Sequence, residues 1–115
     1  MLVTGSAVRL GREIALEFAR AGWSVACHYN RSADAPAALV RELQSLGTQA
    51  VPVQGPLDAG EHAQQVFDAA TSAAGCAPHC IVNNASTFVP DGAADFTSEG
   101  LLAQLRTNLE VPLVM

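Results

Sequence analysis

Short apolar runs alternate with longer stretches of helical period along this chain. Met1–Thr4 ("MLVT") is a brief apolar run that ends at Gly5 and reads as a first strand. Leu10, Ile14, Phe18 and Ala21 then recur near the helical period, and Gly22 follows as a stop. "SVACHYN" (Ser24–Asn30) reads as a second strand. Ala33–Gly47 reads as a helix, with Pro36 in its first turn and Gly47 at its end. Gln49–Gln54 is a third short strand. Asp58 is placed to cap a long helix running to Ala74 and closed by Gly75. "CIVNNAS" (Cys80–Ser86) is a fourth strand, apolar and then abruptly polar. After a loop rich in Pro, Asp and Gly, a final helix starts near Ser98 and carries Leu101, Leu102, Leu105 and Leu109.

Strands of this length separated by helices indicate βαβ units and a parallel sheet. Right-handed crossovers make it a doubly wound, Rossmann-like α/β sheet. The 115 residues fit one domain, with no internal repeat or linker. No apolar run approaches the roughly 20 residues of a membrane span, and the N-terminus lacks a signal-peptide pattern. The expectation is a soluble, cytoplasmic protein.

The formal net charge of −5 argues against nucleic acid as a partner. Its distribution is more informative. Arg9, Arg12, Arg20 and Arg31 outnumber Glu13 and Glu17 in the opening segment, while the remainder is strongly acidic. Positive charge therefore surrounds the opening loop, where a small phosphorylated ligand can use it. The three cysteines suit reduced thiols. "CAPHC" (Cys76–Cys80) has no second ligand pair and reads as a loop entering a strand, so no metal site is expected.

"TGSAVRLG" (Thr4–Gly11) follows a strand and opens a helix, the context in which glycine loops bind phosphate. Gly5 permits a tight turn and Gly11 permits close packing of helix on sheet. The first helical amides and the helix dipole favour a pyrophosphate. The spacing is neither G-x-G-x-x-G nor a Walker loop, because Leu10 stands where the latter needs its second glycine. An NAD site needs an acid near the end of the second strand to accept from the ribose 2′-hydroxyl. None lies between Val25 and Ala33; "HYNRS" is there instead. Arg31 and Ser32 suit a 2′-phosphate, which points to NADPH. Arg9 is near enough to reach either that phosphate or the pyrophosphate.

Together, "TGSAVRLG", "HYNRS" and "NNASTF" resemble the short-chain dehydrogenase/reductases, most of all the pteridine reductases and bacterial dihydromonapterin reductases. That branch carries arginine where the wider family has its middle glycine, as Arg9 does here. The resemblance implies that Gly5, Ser6, Arg9, Leu10 and Gly11 surround the cofactor phosphates. It implies that His28, Tyr29, Asn30, Arg31 and Ser32 surround the 2′-phosphate. Asn83, Asn84 and Ala85 match the motif that stabilises the sheet and lines the cofactor ribose. Ser86 would face nicotinamide and substrate, and Phe88 would stack on a pterin ring. Without the resemblance, Phe88 reads equally well as a core residue under the Pro90 loop. Asn108 of "TNL", by itself an ordinary helix residue, matches the asparagine of the catalytic tetrad and would hold a water in the proton relay.

Two departures qualify the resemblance. Pro56 takes the place of an aspartate that meets the adenine, although Leu57 keeps the neighbouring leucine of the cofactor site. The chain also contains no lysine, and its one tyrosine is Tyr29, so the family's Tyr-x-x-x-Lys pair is absent. The resemblance thus reaches only the N-terminal half of such an enzyme, residues 1–115, and this chain alone is expected to be inactive. The implied strand order is 3-2-1-4. The implied whole protein is an NADPH-dependent reductase of a pterin, and often a tetramer. The alternatives are a 3-oxoacyl or sugar reductase of the same family, or a non-catalytic dinucleotide-binding fragment.

Overall fold

The second and third strands form the broadest part of the sheet. In the computed structural model, which describes residues 1–31 and 33–115, β2 (Val25–Tyr29) lies parallel to β3 (Ala50–Gln54) over five residue pairs. β1 (Leu2–Val3) and β4 (Ile81–Val82) are only two residues each. Leu2 stands opposite Ala26 on one side and Ile81 on the other. The order is β3-β2-β1-β4, all parallel, as expected from the sequence.

Both faces are covered. Val3, Val25 and Cys27 face α1 (Arg9–Arg20) and α2 (Asp34–Ser45), packing with Leu16, Leu39 and Leu43. Leu2, Ala26 and Val53 face α3 (Gly60–Ala74), packing with Val66 and Ala70. Successive strand residues point to opposite faces, so a strand buried on both must be apolar throughout. That is why "VACH" is buried without interruption. Phe18 and Trp23 meet edge to face, with ring centroids 5.8 Å apart, where α1 turns into β2.

The expected cap on the third helix is corrected. α3 starts at Gly60 with Ala59 at its N-cap and no capping side chain. The Asp58 carboxylate instead meets His62 Nδ1 at 2.5 Å, one helical turn on. The final helix is divided. α4 (Ser98–Leu105), capped by the Thr97 hydroxyl, passes into a wide π-helical turn (Arg106–Glu110) and then α5 (Val111–Val114). Pro112 has no N–H to return to the Asn108 carbonyl four residues earlier, and its ring crowds that carbonyl. Val111 of α5 is buried beside α3, whereas none of the α4 leucines is buried.

Candidate dinucleotide site

The C-terminal ends of the strands open into a cleft of about 840 Å³. Its size suits a cofactor site, for which about 300–1,000 Å³ is usual. The turn after β1 forms the floor. Gly5 adopts φ +62°, and a Cβ there would lie 3.0 Å from Ala85 Cα. A Cβ on Gly11 would come within 2.4 Å of the Gly5 carbonyl oxygen and 2.5 Å of Asn84 Nδ2. Both positions therefore require glycine for close approach of loop, helix and strand end. No side chain caps α1, whose N-cap is Val8, so its leading amides are left for another acceptor.

Thr4 and Asn84 lock this turn to β4. The Thr4 hydroxyl oxygen accepts from the Asn84 and Ala85 amides, both at 2.9 Å. The Asn84 carboxamide donates to the Thr4 and Gly5 carbonyls at 2.9 and 3.1 Å. Asn84 and Ala85 line the cleft as well, so one short segment both braces and shapes it.

Arg9 and Arg31 line the same cleft. The other two arginines of the opening segment are engaged elsewhere. Arg12 pairs with Glu13 and Glu42, tying α1 to α2, and Arg20 pairs with Glu17. Among the described residues, neither Arg9 nor Arg31 makes an ion pair. Arg9 also has φ +53°, the left-handed region, without being glycine. An arginine held in that conformation at a cleft is strain concentrated at a candidate site.

The remaining expected residues divide. Gly5, Leu10, Gly11, His28, Asn30, Leu57, Ala85 and Ser86 all line the cleft. Ser6 does not: it is fully buried, and its hydroxyl donates to the His28 carbonyl at 3.3 Å beneath the loop. Only its backbone is part of the turn. Tyr29 is also outside the lining, since strand alternation sends it away from the side His28 takes. Phe88 is 78% exposed and is not part of the lining of this cleft, so it is not a core residue under the Pro90 loop. Asn108 exchanges two hydrogen bonds with the Thr87 backbone, at 2.9 and 2.8 Å, and so pins the loop after β4 to the π-helical turn. Ser32 lies outside the described residues. Val8, Asp58, Thr87 and Thr107 also line the cleft and were not singled out as site residues from sequence. Thr87 and Thr107 neighbour residues that were, and that adjacency was the available signal.

His28 is 2% exposed, and burial pushes it below the usual histidine range, partly offset by its hydrogen bond to the Gly55 backbone. Cys27, buried on the opposite face, is pushed up to about 11 by burial and is not a reactive thiol.

A second cleft of about 710 Å³ lies at the other end of the strands, beside Met1, Trp23 and His79. The C-terminal ends of α1, α2 and α3 converge there, and the dipole of a helix end of that sign repels anions. It is therefore the poorer match to a phosphorylated ligand.

Residues 1–115 match the short chain dehydrogenase family. The chain belongs to that family. A solved family member from Burkholderia cenocepacia, in complex with NADP, superposes with a TM-score of 0.89 at 30% identity, over 98% of this chain and 46% of its own. FolM alternative dihydrofolate reductase 1 from Brucella suis, also in complex with NADP, gives 0.87 at 30% identity over 98% and 46%. Among curated relatives, the 3-oxoacyl-[acyl-carrier-protein] reductase FabG of Staphylococcus epidermidis is 33% identical over 84 residues, 73% of this chain and 34% of FabG. The chain thus spans about a third of that relative and under half of the two solved structures. No helix among the described residues is long and apolar enough to cross a membrane.

Proposed function

We propose that residues 1–115 are the dinucleotide-binding half of an NADPH-dependent reductase acting on a pterin-like heterocycle. The observation that carries this reading is the presence of Arg9 and Arg31 in the cleft onto which α1 opens. The site suits the cofactor on chemical grounds: an uncapped helix N-terminus for the pyrophosphate, guanidinium groups for the 2′-phosphate, and no acid at the end of β2. NADPH, when bound, supplies hydride to a C=N or C=O bond. The chain's own residues bind and orient. Arg31 and Asn30 would hold the 2′-phosphate. Arg9 and the amides of the Gly5–Gly11 loop would hold the pyrophosphate. Asp58, in the same cleft, would accept from the adenine amino group in place of the side chain that Pro56 lacks. Asn84, Ala85 and Ser86 would line the ribose and nicotinamide. Asn108, braced by Thr87, would position a water for proton transfer, and Phe88 would fold over the substrate ring.

The pterin assignment is supported by Arg9, the "HYNRS" run and Ser86, and by the likeness to FolM. The likeness to FabG favours 3-oxoacyl substrates as the second reading. Assays of the protein made from its complete coding sequence, with dihydropterin against acyl thioesters, separate the two. A cytoplasmic location and a homo-oligomeric whole protein, a tetramer as the resemblance implies, complete the proposal.

The cofactor is tested by Arg31→Asp. NADPH affinity falls by roughly ten- to a hundredfold, the worth of a charge-assisted hydrogen bond, while NADH binding changes little. Equal losses for the two nucleotides remove Arg31 from the role.

A further inference from the structure

His28 touches two loops at once. Its Nδ1 lies 3.1 Å from the Gly5 amide nitrogen, and its Nε2 lies 2.9 Å from the Gly55 carbonyl oxygen. An amide only donates and a carbonyl only accepts. Nδ1 must therefore carry a lone pair and Nε2 the proton. Both ring nitrogens are then used, and none is left to donate to a phosphate. Gly5 belongs to the turn that floors the cleft, and Gly55 to the connection from β3 to α3 that supplies Leu57 and Asp58 to its wall.

We propose that His28 is a positioning residue rather than a phosphate ligand: as the neutral Nε2–H tautomer it clamps the Gly5 turn to the β3–α3 connection, and protonation opens that clamp. The consequence for nucleotide binding rests on the dinucleotide reading above. A proton on Nδ1 would set donor against donor at the Gly5 amide and place a cation in a buried site. The charged groups sharing the cleft are Arg9 and Arg31, which oppose that cation, and Asp58, which is engaged by His62. On its own strand His28 is flanked by Cys27 and Tyr29. Burial is the largest cause of the lowered pKa and outweighs the opposing hydrogen bond to the Gly55 carbonyl. Its folded-state pKa lies below its unfolded value of about 6.5. The clamp is therefore intact above that value and is lost as pH falls.

The experiment uses protein from the complete coding sequence and titrations with NADP⁺, the acid-stable form carrying the same 2′-phosphate, from about pH 8 down to about pH 4.5, so that the range reaches below the ordinary histidine value. His28→Asn is the comparison, because its carboxamide oxygen can accept from Gly5 and cannot titrate. Expected is weakening of wild-type binding with acid, by up to about tenfold per pH unit, in excess of the slope of His28→Asn. The 2′-phosphate titrates in both proteins, so the difference between them isolates His28. Binding that strengthens with acid relative to His28→Asn overturns the proposal and makes His28 a cationic phosphate ligand. Coincident profiles also overturn it. A ligand-free readout separates this proposal from the cofactor reading. The Gly5 amide shift in ¹H–¹⁵N spectra follows a histidine titration in the wild type and not in His28→Asn. A Gly5 amide that ignores the titration ends the proposal whatever binds. A titrating Gly5 in a protein that binds no NADP⁺ at pH 8 counts against the dinucleotide reading alone.

Discussion

Arg9 carries opposing demands in one residue. Its left-handed backbone, φ +53°, costs a side-chain-bearing residue roughly 1–2 kcal/mol. Glycine would remove that cost but add about 0.5–1 kcal/mol through the freedom it gives the unfolded chain. The balance favours glycine slightly, by about 0–1.5 kcal/mol. Arg9→Gly is therefore expected to melt a few degrees higher while binding NADPH at least about tenfold more weakly, read by thermal unfolding and fluorescence titration. A variant that melts lower with undiminished affinity would place the cause of this conformation in packing rather than in the ligand. Ser6 shows the opposite case. The family resemblance implies a place for it at the phosphates, yet its hydroxyl turns inward to the His28 carbonyl. A small polar residue beside a tight turn can face either way, and nothing in the letters distinguishes the two.

At the scale of elements, legibility followed burial. β2 was readable because four successive buried residues leave no other interpretation of "VACH". β1 and β4 were read longer than they are, for one shared reason. At the ends of these strands, side-chain bonding takes over from the ladder: the Thr4 hydroxyl receives the Asn84 and Ala85 amides, and the Asn84 carboxamide reaches back to Gly5. Such substitutions of side chain for backbone partner have no period. The Asp58 cap failed for a similar local reason, since His62 one turn later competes for the carboxylate. The single long C-terminal helix is divided because Pro112 has no N–H for the Asn108 carbonyl, a break that the leucine spacing does not register. The Thr4 junction is directly testable. Thr4→Val keeps the shape but leaves the part-buried Ala85 amide without an acceptor and the Asn84 amide with only the Val82 carbonyl, and is expected to destabilise the protein by about 2 kcal/mol. Thr4→Ser keeps the oxygen and should lose less than half as much. Chemical denaturation of the two variants provides the comparison, and a Thr4→Val loss no larger than that of Thr4→Ser would show that the hydroxyl contributes no more than the methyl group.

The whole molecule is longer than its residue count suggests. Its Cα radius of gyration is 14.8 Å, with extents of 51 × 24 × 22 Å, where a compact chain of this length has about 13 Å. The elongation accompanies a run of uncovered apolar side chains: Leu101, Leu102, Leu105, Leu109 and Leu113 are each at least 41% exposed. β4 is the last strand of the sheet, and Ile81 and Val82 are only half-buried. An unpaired strand edge offers hydrogen bonds to any second strand, and an apolar helix face offers area; each promotes association by itself. Residues 1–115 made as an isolated polypeptide should therefore self-associate in a concentration-dependent way, as read by sedimentation. The helix face and the strand edge can be told apart by charge. Leu102→Glu with Leu109→Glu alters side chains outside both core clusters, so the melting temperature should hardly move. If the helix face dominates, association drops sharply in the double variant. If it persists undiminished, the β4 edge is the contact, and a monomer with a sharp reversible melt in the unaltered sequence would show that neither surface drives association.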